Sequence, residues 1–274
     1  MIALFAGAAA SLGATAQPRP AVEIKDAVAR VTVIPEDRAD IRVEVVAANP
    51  KLPLKIRQAR SRTVIDGGLQ GNRIRGCNGT GAAATARVTG LGEIALKAMP
   101  HVVIRAPRSA DVYAGGAVFG DVGRSRDLTL GNAGCGDWTI ANVERQLKIS
   151  LAGSGDVRAG SSGGAKLRVA GEGDIATAAV RGGVDIDLAG SGDVKVASLS
   201  GPLDVHMAGS GDVVVARGRA TSATVAVAGS GNVIFGGVAD TLNARVTGSG
   251  DVRVKAVRGQ VKQSVVGSGA VRIG

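Results

Sequence analysis

The feature that most constrains this chain is a five-residue string that returns at an almost constant spacing. Gly-Ser-Gly-Asp-Val, or a close variant of it, begins at eight positions: Gly134, Gly153, Gly171, Gly190, Gly209, Gly229, Gly248 and Gly267. The steps between these starts are 19, 18, 19, 19, 20, 19 and 19 residues. A period of this length, kept over eight copies, indicates a solenoid in which each repeat contacts only its neighbours.

Apolar residues alternate with other residues around each copy of the motif. Val184, Ile186 and Leu188 precede one copy, and Val194 and Val196 follow it. A period of two indicates β-strands and not helices. Because the same slots are apolar one period later, stacked repeats would form a continuous column of Val, Leu and Ile. The sequence therefore predicts an all-β protein, a parallel β-helix with rungs of about 19 residues.

The repeated motif is expected to form the corners of the rungs. Glycine tolerates positive φ and close backbone approach, and aspartate accepts backbone N–H groups in turns. Calcium is the alternative for the Asp column, but calcium-binding β-helices have a shorter repeat of about nine residues. We therefore predict structural corners without a metal or cofactor, formed by Gly153, Gly155, Asp156, Gly190, Gly192, Asp193, Gly209, Gly211, Asp212, Gly248, Gly250 and Asp251.

The first third of the chain lacks the motif but keeps strand patterns. Residues 30–34 and 41–45 are alternating runs, whereas the Gly- and Ala-rich stretch 71–84 is expected to be a loop. No Pro- or Ser-rich linker divides the chain. We expect one domain over residues 17–274, with irregular N-terminal β rungs or a β cap over 17–100 and regular repeats over 101–274.

The start of the sequence predicts export. Residues 1–16 are small and apolar, and Ala14-Thr15-Ala16 resembles a signal-peptide cleavage site, although no Lys or Arg precedes the apolar run. No other segment reaches the roughly 18 apolar residues of a membrane span. The mature chain is therefore expected in the periplasm, on the cell surface or in the medium, without a transmembrane segment.

The two cysteines, Cys77 and Cys135, are expected to form a disulfide, because an exported chain meets oxidising conditions. Two unpaired thiols are the alternative. Together with His101 and His206 they lack the clustered spacing of a zinc site.

The net charge of +10 predicts attraction to anionic surfaces. The segment from Lys51 to Arg75 is basic, because it contains seven cations and one acid, Asp66. The cations are Lys51, Lys55, Arg57, Arg60, Arg62, Arg73 and Arg75. A site for an anionic ligand and an ordinary solvated strand face are both open interpretations. Nucleic acid is not favoured as the ligand, because aromatic residues are only 2% of the chain and give bases little to stack on.

Three features together resemble the bacterial family described as putative auto-transporter adhesin, head GIN domain. They are the early strand pair at 30–34 and 41–45, the strand from Val102 to Pro107, and the tandem glycine corners that run to the end. The resemblance covers nearly all of the mature chain except for the basic segment, which departs from it. It implies a right-handed parallel β-helix in an exported bacterial protein, and it implies no catalytic residues.

An enzyme is not expected. Parallel β-helices also house polysaccharide-degrading enzymes, which need clustered or paired carboxylates. Outward slots of successive rungs are mixed instead, as at Arg158, Ala176 and Lys195, and no long insertion is evident that would form the wall of a cleft.

Two hypotheses for function remain. One is an adhesin-like binding module for an anionic envelope polymer, such as an acidic glycan or lipopolysaccharide, or for a partner protein. The other is a passive structural solenoid subunit. The final rung, with Val261, Val265, Val271 and Ile273, has no capping segment after it in this sequence. End-to-end self-association or a partner protein is expected to cover that rung, and an end tolerated as it stands is the alternative.

Overall fold

A computed structural model describes residues 19–59, 61–70 and 73–274. The predicted signal peptide and Arg60 of the basic segment lie outside these residues. The N-terminal strands are β1 (Ala21–Glu36), β2 (Arg42–Ala47), β3 (Lys55–Gln58), β4 (Arg62–Asp66), β5 (Ile74–Asn78), β6 (Thr85–Val88), β7 (Gly92–Ala95), β8 (His101–Pro107) and β9 (Ser109–Val122). Short 3-10 turns cover Gly81–Ala83 and Leu96–Ala98.

The remaining strands belong to the repeats. They are β10 (Asp127–Gly134), β11 (Trp138–Ile140), β12 (Val143–Leu151), β13 (Val157–Ala159), β14 (Ser162–Gly171), β15 (Ile175–Val180), β16 (Val184–Gly190), β17 (Val194–Ser200), β18 (Leu203–Gly209), β19 (Val213–Val215), β20 (Gly218–Ala220), β21 (Ala223–Gly229), β22 (Val233–Ala239), β23 (Leu242–Gly248), β24 (Val252–Val257), β25 (Val261–Gly267) and β26 (Val271–Ile273). In the described ranges no helix is long and apolar enough to cross a membrane.

From β10 onward each strand pairs in parallel with strands one rung away. Val184 of β16 lies beside Ala165 of β14 on one side and beside Leu203 of β18 on the other, 19 residues away in each direction. Strands that follow the corners form a second parallel ladder, in which Val194 lies between Ile175 and Val213. The prediction of a parallel β-helix with 19-residue rungs is confirmed.

The interior of the solenoid consists of the predicted apolar columns. Val184, Ile186 and Leu188 are buried, as are their counterparts one rung further along the chain. Each fully buried side chain of this kind stabilises the fold by roughly 1.5–3 kcal/mol. The ring of Trp138 fills the space beside Gly120, where a Cβ would overlap it. Trp138 and Phe235 are both core residues, since each side chain is fully buried.

In the first third, the order of the rungs in space differs from their order in the sequence. One edge of β1 pairs in parallel with β9, and the other edge pairs with β4 and β8. Strand β2 then runs antiparallel to β8, and β3 runs antiparallel to β4. These two antiparallel strands line the edge beyond the first rung, where they pair with backbone groups that the ladder would otherwise leave open.

The segment between β4 and β8 carries a separate antiparallel sheet, formed by β5, β6 and β7. The expectation of a loop over 71–84 is therefore wrong for residues 74–78, which form β5 and pair with β6. Packing explains the difference. Ile74 and Cys77 lie against a second apolar cluster that includes Met99 and Phe119, and this tertiary contact overrides the loop-like composition.

Candidate functional site

The corner glycines are required mainly by close approach of neighbouring rungs. A Cβ at Gly192 would overlap the carbonyl oxygen of Gly173, and one at Gly211 would overlap that of Gly192. The first glycine of the motif also has positive φ at Gly190 and Gly209, with values of 140° and 154°. Gly192 and Gly211 do not have positive φ, so the second glycine of the motif is required by close approach alone.

The corner aspartates form a ladder along the solenoid. Oδ1 of Asp193 accepts the backbone N–H of Asp212 at 2.9 Å, and Oδ1 of Asp174 accepts that of Asp193 at 2.8 Å. Asn232 continues the ladder, since its N–H is donated to Asp212 and its Oδ1 accepts the N–H of Asp251. The bonds thus run to the next rung, whereas the sequence suggested bonds within each turn. The ladder binds backbone, and it gives the corners a structural role.

Cations next to the ladder stabilise its carboxylates. Burial opposes charge on Asp193, but the backbone N–H of Asp212 and the ammonium of Lys195 together lower the pKa of that carboxyl. Arg272 pairs with Asp251 and lowers its pKa, with a further contribution from the backbone N–H of Ala270. In the described part of the chain, no group of three or more His, Cys, Asp or Glu residues is arranged to hold a metal ion.

The disulfide between Cys77 and Cys135 is present, with Cα atoms 5.5 Å apart. It joins β5 of the small sheet to the first corner of the repeats. The small sheet is thus held to the solenoid by a covalent bond as well as by the second apolar cluster.

The structure separates the predicted basic residues into groups. Arg57 pairs with Asp66 at 3.0 Å and Arg62 pairs with Glu23 at 2.6 Å, so both of these charges are engaged. Nε of Arg75 donates to Oγ1 of Thr89 at 2.9 Å, on the small sheet.

Three other members of the basic segment, Lys51, Lys55 and Arg73, line one cavity of about 240 Å³ beside the N-terminal strands. All three side chains are exposed, and none has a carboxylate of the described residues within 4.0 Å. Asp66, in the same cavity, is bound by the backbone N–H of Gly68 at 2.9 Å and by two cations. That N–H is the main cause of its lowered pKa. The cavity therefore presents a net positive charge. We call it the basic cavity.

A cleft of about 430 Å³ lies where the small sheet overhangs the solenoid. Its floor comes from outward residues of β1, β8, β9, β11 and β13, and its wall from the two 3-10 turns. The expectation that no insertion walls a cleft is therefore wrong, because the insertion lies in the irregular first third and not among the repeats. Arg30, Thr32, His101 and Asp121 face this space, which we call the overhang cleft. Asp137 and Arg158 also line it, but both contact Asp156: Oδ1 of Asp137 accepts its backbone N–H, and the Arg158 guanidinium lies 3.9 Å from its carboxylate.

A shallower apolar groove of about 610 Å³ crosses β14, β16, β18, β21 and β23. Exposed alanines at one outward slot per rung form its floor: Ala170, Ala189, Ala208 and Ala228. Arg168, His206 and Arg245 stand along it.

Comparison with known proteins tests the resemblance. Residues 177–274 match the model of the family "Putative auto-transporter adhesin, head GIN domain". The resemblance to the head GIN domain is therefore confirmed over these repeats. The matched residues include the groove from Asp187 onward but not its first rung on β14, and the basic cavity and the overhang cleft lie before them in the chain. No curated protein matches the chain.

Two crystal structures from Parabacteroides distasonis share the fold. One is of a putative lipid binding protein, 17% identical, with a TM-score of 0.54 over 94% of this chain and 93% of that one. The other is of a putative adhesin, 16% identical, with a TM-score of 0.50 over 95% and 94% of the two chains. At these identities the similarity establishes the fold and nothing further.

Proposed function

We propose that this protein is an exported, non-catalytic, adhesin-like module that binds an anionic polymer of the bacterial envelope through the basic cavity. The observation that carries the proposal is the grouping of Lys51, Lys55 and Arg73 around one space whose carboxylate, Asp66, is already bound by other groups. The head GIN domain match of residues 177–274 supports the adhesin-like class and the export.

The charge balance at this cavity favours an anionic ligand. Lys25 lies 3.4 Å from the Asp66 carboxylate, and Arg57 lies 3.0 Å from it, so that acid cannot also neutralise the three free cations. Exposed cations that are grouped in this way raise the local concentration of anions. Their attraction is screened over about 8–10 Å at physiological salt, so binding is expected to be strongly salt-sensitive.

Acidic glycan and lipopolysaccharide both present the required charge. Lipopolysaccharide also carries acyl chains, for which the alanine groove offers an apolar floor with Arg245 at its side. Similarity to a protein described as lipid binding is consistent with that second contact.

The proposal is tested by binding the mature protein to immobilised polygalacturonate, lipopolysaccharide and a neutral glucan over about 50 to 500 mM salt. We expect retention on the two anionic materials that decreases steeply with salt, and little retention on the neutral glucan. Equal retention on all three materials, or retention that salt does not change, would contradict an electrostatic binding module.

A passive structural subunit is the second candidate, and the last rung favours it. Val261 and Val265 are each 40% exposed and Val266 is 65% exposed, so this rung leaves apolar surface uncovered. End-to-end association or a partner protein would cover it. Light scattering of the mature protein at micromolar concentration tests self-association, and Val271→Lys should shift any oligomer towards monomer. A wild type that is strictly monomeric, with an equally stable variant, counts against this role.

A further inference from the structure

The overhang cleft contains charged groups that the rest of the fold does not use. Nε of Arg30 is buried and has no hydrogen-bond partner. No carboxylate of the described residues lies within 4.0 Å of its guanidinium, and the side chain of Asp121 makes no hydrogen bond or ion pair among those residues. A buried polar atom without a partner destabilises the fold, and an acceptor that enters the cleft beside the guanidinium would reduce this cost.

Next to these charges the cleft offers neutral polar groups. Oγ1 of Thr32 lies 3.0 Å from Nε2 of His101. Burial, followed by the nearby charge of Arg30, lowers the pKa of His101, so the imidazole is neutral near pH 7. A neutral imidazole and a hydroxyl are each able to donate or accept a hydrogen bond.

The cleft also has an apolar side and a suitable size. Leu96 of the second 3-10 turn and Phe119 of β9 line it. Its volume of about 430 Å³ falls within the usual range for small-ligand sites. The wall depends on the small sheet, which the Cys77–Cys135 disulfide ties to the solenoid.

We propose that the overhang cleft binds a hexuronate unit, that is, a hydroxylated sugar ring with one carboxylate. Arg30 binds the carboxylate, while Asp121, Thr32 and His101 bind ring hydroxyls, and Leu96 lies against the less polar face of the ring. The inference rests on the proposed function and deepens it, because it names the repeating unit of the anionic polymer and a second place where the polymer is held.

The combination of groups selects this class of ligand. An inorganic anion would use Arg30 but leave the carboxylate of Asp121 without a role, since like charges repel. A neutral sugar would use Asp121 and Thr32 but offer the guanidinium only uncharged acceptors, which form weaker hydrogen bonds than a carboxylate does. A ligand with both a carboxylate and hydroxyl donors satisfies the two charges together.

Calorimetric titration of the mature, disulfide-bonded protein with free galacturonate and with galactose tests the site. We expect galacturonate to bind and galactose to bind at least about tenfold more weakly, as for loss of one charged hydrogen-bond partner. Arg30→Gln should weaken galacturonate binding by about tenfold or more, and Asp121→Asn should weaken binding of both sugars. Arg253→Gln, at an exposed outward slot several rungs away, is the matched control and should bind as the wild type does.

Asp121 is exposed, so its variant should fold even if Arg30→Gln does not. Equal affinity for the two sugars, or unchanged galacturonate binding by Asp121→Asn, would overturn the assignment. Absence of monomer binding in a protein that still binds polygalacturonate would also overturn it and would leave the proposed function intact. Loss of polymer binding on mutation of the basic cavity, with monomer binding retained, would support two separate sites.

Discussion

Oδ1 of Asp193 accepts a hydrogen bond from the backbone N–H of Asp212, 2.9 Å away on the next rung. The same relation joins Asp156 to Asp174 and Asp212 to Asn232. A column of carboxylates about 4.8 Å apart would repel itself if it were unpaired. Backbone donors, with Lys195 and Arg272 beside the column, counter that repulsion, so the ladder links successive rungs.

Replacing one carboxylate of the ladder tests its contribution to stability. Asp193→Ala removes the acceptor of the Asp212 N–H and should lower the free energy of unfolding by about 1–2 kcal/mol relative to Asp193→Asn. Asparagine keeps an acceptor oxygen, and Asn232 already occupies this slot in the native ladder. Urea unfolding of the two variants measures the difference. Equal stabilities would show that the inter-rung bond contributes little.

The ladder also predicts how stability depends on pH. The pKa of Asp251 is lowered in the folded protein, chiefly by Arg272, so its carboxylate stabilises the fold above the unfolded pKa of about 3.8. That stabilisation is lost as pH falls through the folded pKa. Asp251→Asn should therefore lose less thermal stability than the wild type between about pH 6 and pH 3. An identical loss in both proteins would count against this carboxylate.

Close packing of the corners predicts a strong effect of a single methyl group. Gly211→Ala should destabilise by about 1–3 kcal/mol, since its Cβ would overlap the Gly192 carbonyl oxygen and the rungs would have to separate. Ser210→Ala is the control, because Ser210 is the exposed neighbour in the same corner. Thermal melts compare the two variants. Similar melting temperatures would contradict corner packing as the reason for glycine.

The disulfide predicts that unfolded but unreduced protein exposes no free thiol. The bond joins positions 58 residues apart, and closing a loop of that length stabilises by about 4 kcal/mol in the chain-entropy model. Cys77→Ser with Cys135→Ser should therefore melt at a lower temperature and loosen the small sheet. Thiol titration in denaturant, after expression in an oxidising compartment, checks the bond directly. Two titratable thiols would refute it.

The sequence was sufficient to predict the repeats but not the first third. Glycine corners and alternating apolar residues recur in register, so the pattern of one rung predicts the next, and Val184, Ile186 and Leu188 are buried as expected. Strand β1 lies beside β9, about 90 residues later in the chain, and no local pattern encodes that pairing. The overhang cleft was missed for the same reason. The one signal in the sequence was Arg30, a charged residue within a mainly apolar strand, which could have indicated a binding partner for its guanidinium.

The basic segment also shows that the sequence does not reveal which residues contact each other in the fold. Composition identified the seven cations, but only the structure shows that Arg57 and Arg62 are already paired with Asp66 and Glu23. Lys51 in the turn before β3, Lys55 at the start of β3 and Arg73 just before β5 line the same cavity. The candidate site is therefore smaller than the charge cluster in the sequence.

The central claim is that the position of the charge, and not the net charge, gives binding of an anionic polymer. Affinity for polygalacturonate should be measured for two charge-reversed proteins. One carries Lys51→Glu, Lys55→Glu and Arg73→Glu in the basic cavity. The other is the control and carries Lys255→Glu, Arg258→Glu and Lys262→Glu at the C-terminal end of the solenoid. Both sets alter net charge equally and affect exposed side chains. We predict that binding is lost in the first protein and largely kept in the second. Equal losses in both would contradict the account.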